Sequence, residues 1–186
     1  MNKTAAPNPY RLFLIEKLPD PLIPASAHIQ IFDNYIEATR LRLRLIREPA
    51  SRNWTRILQQ QILTDESNVG SVKLAEIYLN ETEYSFFEQF EGNEIRKNRY
   101  FHEFDRVNFR FDVFLGDLWG LTMASVSFED AREADRFEPP PFAIIEITNS
   151  AFFTGANLVG KKFEDVQEEV SQIAATGAPL IELQDE

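Results

Sequence analysis

The stretch Thr39-Arg40-Leu41-Arg42-Leu43-Arg44-Leu45 constrains this chain more than any other. Its alternation of cation and leucine has the period of a β-strand, in which successive side chains point to opposite faces. A strand here sets three guanidinium groups on one face and three leucines on the other. A helix would scatter both sets around its axis. Three like charges in a row repel one another. Such a face either lies open to water or meets an anion, and the stretch alone leaves both open.

Alternation continues through the chain. Strands are expected at residues 10–15, 27–35, 39–46, 54–63, 72–79, 95–104, 107–115, 119–128 and 142–148. Eight or nine strands are enough to close a barrel. Helices are fewer. Asn80 with Glu83 resembles a capping box, and Tyr84, Phe87 and Phe90 follow at helical spacing. A short polar helix is expected over 129–137. Phe163, Val166, Val170 and Ile173 mark one face of an amphipathic helix stopping near Gly177. The expected class is α+β with strands in the majority, in one domain over 1–186. Helices do not alternate with strands, which argues against a doubly wound parallel sheet.

Charge distribution sharpens the question. The 186 residues carry 30 acidic against 19 basic side chains, a formal −11, so the average field repels long nucleic acids and anionic membranes. A 44% hydrophobic content with 16 Phe suffices for a packed core. The absence of cysteine excludes disulfides, thiolate metal sites and a cysteine nucleophile. The apolar run Leu12 to Ile15 is too short for a signal-peptide core, and no apolar run reaches the roughly 18 residues of a membrane span. A soluble, cytoplasmic protein is the expectation. Against this acidic background several strands repeat the basic pattern. Lys97 and Arg99 share a face, Arg110 and Asp112 share another, and Arg56 lies among Trp54, Ile57 and Leu58. If the sheet closes with those groups inward, it encloses a cationic tunnel suited to a polyanion such as a phosphate chain.

These residues resemble, in order along nearly the whole chain, the CYTH superfamily of triphosphate tunnel proteins. It includes thiamine triphosphatases, inorganic triphosphatases and class IV adenylyl cyclases. Arg11-Leu12-Phe13-Leu14-Ile15 with Leu18-Pro19 resembles its opening strand, and Arg40-Leu41-Arg42-Leu43-Arg44 its basic strand. Ile95-Arg96-Lys97-Asn98-Arg99-Tyr100 resembles its Lys-Thr-Arg-Tyr segment. Asp112-Val113-Phe114 and Gly116, then Gly120-Leu121, resemble its long hairpin. Glu146-Ile147-Thr148, Phe153-Thr154-Gly155 and Asn157-Leu158 resemble its closing strand and exit. The resemblance implies an eight-stranded antiparallel barrel with helices outside. It also implies a triphosphate held on inward Arg and Lys, and divalent metal held on inward glutamates.

The chain departs from the family where metal is held. Asn8, Tyr10 and Leu12 stand at the positions of the family's Glu-x-Glu-x-Lys signature. Ala124-Ser125-Val126-Ser127-Phe128 stands where the family has Ala-Glu-Val-Glu-Phe, and Gln60 where it has a third-strand lysine. Magnesium takes hard oxygen ligands, usually one or two carboxylates beside substrate phosphates. Glu146 and Asp112 are the candidates left for Mg or Mn. The favoured expectation is a tunnel protein that binds a triphosphate, nucleotide or other small polyanion through Arg40, Arg42, Arg44, Arg56, Lys97 and Arg99, with lost or reduced turnover. Two alternatives are an active triphosphatase or nucleotidyl cyclase, and a non-catalytic scaffold for a protein partner. No catalytic residue is assigned. His28 and His102 have no partner at ligand spacing, and neither a Gly-x-Ser-x-Gly elbow nor a phosphate-binding Gly-x-x-x-x-Gly-Lys loop occurs. The acidic runs at 129–137 and 164–169, and the tail 180–186, read as solvated surface.

Overall fold

The computed structural model describes residues 9–63, 72–90 and 92–175. Among these residues nine strands form one sheet: β1 (Tyr10–Ile15), β2 (His28–Ile36), β3 (Leu41–Glu48), β4 (Asn53–Leu63), β5 (Val72–Leu79), β6 (Gly92–Phe104), β7 (Val107–Phe114), β8 (Thr122–Ser127) and β9 (Ala143–Glu146). Every strand expected from alternation is present, with ends displaced by a few residues. β8 starts late because a 3-10 turn at Gly116–Leu118 precedes it, and Gly120 sits at a φ of +109° against the Phe163 ring. The β6–β7 hairpin closes on Asp105 and Arg106, at φ of 47° and 64°. Positive φ at both central residues matches the right-handed strand twist.

Among the described residues four helices accompany the sheet: α1 (Glu81–Phe87), α2 (Ala131–Arg136), α3 (Gly155–Leu158) and α4 (Phe163–Ala175). The capping box at α1 forms in both directions: Asn80 Oδ1 accepts from the Glu83 N–H at 2.9 Å, and Glu83 Oε2 from the Asn80 N–H at 2.8 Å. The brief α3 was not anticipated. Asn8, the expected stop near Gly177 and the tail 180–186 lie outside the described residues. No described helix is long and apolar enough to cross a membrane.

The strand order is β5-β4-β3-β2-β6-β7-β8-β1-β9, with antiparallel pairing throughout. The eight-stranded closed barrel is therefore corrected to a nine-stranded open sheet. Among the described residues no ladder joins its edges, β5 and β9. One face is covered by a largely aromatic core of Phe13, Tyr100, Phe109 and Phe111 together with Val126, with Leu18, Leu22, Phe137 and Phe142 packed over it. On the other face Leu14, Ile95, Phe114 and Met123 pack against Phe153 and Leu158 from the α3 region and Val166 of α4. The C-terminal segment thus fills one end of the space that a closed barrel would enclose. What remains is a trough.

Candidate functional site

Strand register decides which charges meet. Tyr35 pairs with Arg42 and Asp33 with Arg44 across β2–β3; Asp33 pairs with Ile95 and Ile31 with Lys97 across β2–β6; Arg99 pairs with Asp112 across β6–β7. Directly paired residues of an antiparallel ladder share a face. Arg42, Arg44, Lys97, Arg99 and Arg110 therefore project on the side of Asp33 and Asp112. Side chains from β1, β2, β3, β6, β7 and β8, with Phe153, Gly155 and Leu158, line one cavity of about 250 Å³ on this side.

Each cation is already held. Asp112 accepts from Lys97 Nζ at 2.7 Å, from Arg99 Nε at 2.6 Å and from Arg99 Nη2 at 2.7 Å. Burial opposes its ionisation, but the Lys97 ammonium and the Arg99 guanidinium outweigh burial and hold its pKa far below the ordinary carboxylate range. Asp33, 2% exposed, receives Arg44 bidentately at 2.6 and 2.7 Å. Its pKa too is lowered, because the hydrogen bonds and charge of Arg44 overcome burial. Lys97 is driven the other way. Burial lowers its pKa and Arg99 adds to that, against the pull of Asp112.

Arg42 has a different environment. Its Nε donates to Gln59 Oε1 at 2.8 Å and its Nη1 to Tyr35 Oη at 2.9 Å, while Asp33 stands 3.6 Å away. Gln59 passes the network on to Glu76 at the β5 edge. Arg110 donates to Ser127 Oγ at 2.7 Å. Five cations thus face two enclosed carboxylates, a net of three positive charges inside a chain of net −11. Tyr10, Leu12 and Ser125 also line the trough, so three positions set against the family's charged signatures do face inward.

The structure corrects several expected placements. Arg40 lies in the exposed turn before β3. Arg56 pairs in register with Leu45, on the opposite face from Arg42 and Arg44. There it reaches Glu81 at 3.9 Å and the Tyr84 ring at 5.9 Å, so it leaves the inward set. Gln60 likewise faces away, and Gln59 takes the inward position. Glu146 pairs with Phe13 on the aromatic side. It receives Arg11 Nε at 2.9 Å and Arg11 Nη2 at 2.5 Å, and Thr148 Oγ1 at 2.6 Å. The pairing of β9 with β1 sets that face, which short alternation cannot disclose; the ladder shifts only beyond it, between Leu14 and Ile15.

The donor set does not fit a divalent cation. Asp112 and Glu146 lie on opposite faces of the sheet, so no single ion meets both. Both oxygens of Asp112 and both of Asp33 are engaged by cations. Among the described residues no group of three or more His, Asp or Glu side chains converges to hold a metal. Sequence reasoning missed Asp33, Tyr35 and Gln59 and left Arg110 out of the ligand set. The alternation Ile29, Ile31, Asp33, Tyr35 carries a signal for two of these, but only pairing shows which parity faces the arginines.

No family model matches the chain, and no curated relative does. Two solved structures share its fold. One is the crystal structure of the hypothetical protein NE1496, with a TM-score of 0.58 and 22% identity over 83% of this chain and 99% of that one. The other is the crystal structure of the inorganic triphosphatase NE1496, with a TM-score of 0.57 and 23% identity over 82% and 93%. The chain shares the fold of NE1496.

Proposed function

We propose that this protein binds a small phosphate-bearing polyanion (a triphosphate, a nucleotide or a related ligand) in the trough, through Arg42, Lys97, Arg99 and Arg110, with Arg44 contributing charge from its pair with Asp33. Metal-dependent turnover of the CYTH type is lost or much reduced, and the metal centre is degenerate. The observation that carries this reading is the net of three positive charges enclosed on one face of an acidic chain. The inorganic triphosphatase activity of NE1496 supports the ligand class. Asp33 and Asp112 hold the cations extended and in place, so little side-chain entropy is lost when an anion arrives. Binding proceeds by exchange, with phosphate oxygens taking guanidinium hydrogen bonds now spent on Asp112 and Gln59. The chain acts as a single unit over 1–186, in the cytoplasm.

Calorimetry with tripolyphosphate, ATP and thiamine triphosphate, with and without chelator, tests this. Chelator-insensitive binding that Arg42→Glu weakens and Arg56→Glu spares is the expected result. No binding of any of the three at low salt overturns it and favours a scaffold. Magnesium- or manganese-dependent phosphate release would instead establish an enzyme.

A further inference from the structure

The trough combines charged and apolar surface. Arg42, Asp33 and Tyr35, then Lys97, Arg99, Arg110 and Asp112, then Tyr10 and Ser125 form its polar wall, while Leu12, Ile95, Phe114, Met123, Phe153 and Leu158 supply an apolar one. The apolar part is the upper surface of the core that α3 and α4 build on this face, and Phe114 and Met123 are each only 4% exposed. Where a bare polyphosphate chain crosses Leu12, Phe114, Met123 and Phe153, its oxygens would lie on hydrocarbon without a donor. Charge sets a second limit. A phosphate monoester brings roughly −1.5 to −2 at neutral pH, and a tripolyphosphate adds about one further negative charge for each additional phosphoryl group, roughly −4 or more in all. A tripolyphosphate therefore exceeds the three net positive charges of this face, and the surplus would stay enclosed beside Asp33 and Asp112.

The geometry points to an amphipathic ligand: an organic mono- or diphosphate ester whose phosphate meets Arg42, Lys97 and Arg99 and whose apolar group lies against Leu12, Phe114 and Met123. This rests on the reading of the trough as a polyanion site and narrows its ligand class. Leu12 and Ser125 are register partners on β1 and β8, adjacent to the pair Leu14 and Met123. A side chain without charge at Leu12 thus turns this flank of the cavity into an apolar contact surface. Tyr10 extends the wall and stays a neutral phenol, since burial raises its pKa.

Titration of the full chain with phenyl phosphate, inorganic phosphate and inorganic tripolyphosphate, at one ionic strength, decides the matter. Phenyl phosphate is expected to bind at least ~10-fold more tightly than inorganic phosphate, from ring burial alone, and more tightly than tripolyphosphate. Leu12→Asn should remove most of the phenyl advantage, read as the ratio of the two affinities. Because the ranking is read first on the wild-type chain, the folding of the variant does not bear on it. Tripolyphosphate binding most tightly overturns the amphipathic ligand and leaves the polyanion site standing. Equal affinity for phenyl phosphate and inorganic phosphate overturns it as well. Binding by none of the three removes both readings together.

Discussion

Replacing Asp112 by Asn separates what this carboxylate does for the fold from what it does for the ligand. Asp112 is 13% exposed and accepts three hydrogen bonds from Lys97 and Arg99, which are 13% and 19% exposed. Asparagine keeps the shape but leaves two enclosed cations facing each other across a neutral amide. Breaking a buried pair by removing one partner costs about 3–5 kcal/mol, and residual solvent here argues for the lower figure. For a chain of this size about 3 kcal/mol lowers Tm by roughly 6–12 °C. The same change raises the net charge of the trough from three to four and frees the donors of Lys97 and Arg99. Anion affinity should therefore rise about tenfold or more, equivalent to ~1.4 kcal/mol. Ligand at about 100 times its Kd adds ~2.7 kcal/mol and should restore most of the lost Tm. Thermal melts of wild type and Asp112→Asn, with and without phenyl phosphate or tripolyphosphate, read both effects. A variant that loses stability and also binds anions more weakly would refute the exchange of carboxylate for ligand.

Three further outcomes follow from particular contacts. A Cβ on Gly155 would stand 1.8 Å from Tyr35 Oη, whose oxygen accepts from Arg42. Gly155→Ala should cost about 1–3 kcal/mol in chemical denaturation and weaken anion binding severalfold by displacing the Tyr35 ring. Glu146→Gln should lower the unfolding free energy, read from chemical denaturation, by about 1 kcal/mol, a solvent-screened figure for a carboxylate 35% exposed. It should leave anion affinity unchanged, because Glu146 and the trough lie on opposite faces; a change in affinity would restore it to the site. Asp33 and Asp112 both have folded pKa values below their unfolded ones. Their stabilisation is complete above the unfolded carboxylate pKa and is lost as pH falls towards the folded values. Unfolding midpoints should decline below about pH 4, more steeply for wild type than for Asp112→Asn; parallel acid limbs would show that Asp112 contributes nothing.

Strand positions were legible in the sequence because β-alternation is local. A side chain's neighbours two residues away share its face in any sheet, so Arg42 with Arg44 and Lys97 with Arg99 needed no tertiary information. The inward set was legible only in part, for a related reason. Arg56 sits in an apolar context like that of the true trough residues, and a one-residue difference in parity sends it to the far side. Gln59 and Gln60 differ by the same single step.

The sequence by itself determined the strand positions, the α+β class with strands in the majority and the segregation of cations within strands, since all of these follow from near-neighbour chemistry. Tertiary structure decided the rest. Register put Glu146 and Arg56 outside the trough and Asp33 inside it. The C-terminal helices filled one end of the face and gave the cavity its apolar wall. Pairing turned a row of mutually repelling arginines into a network in which Asp33 and Asp112 neutralise part of the charge. Those outcomes depend on residues up to 135 positions apart, as with Arg11 and Glu146. No local pattern encodes which distant strand edges meet, because the hydrogen bonds of a ladder are the same for every residue that makes them.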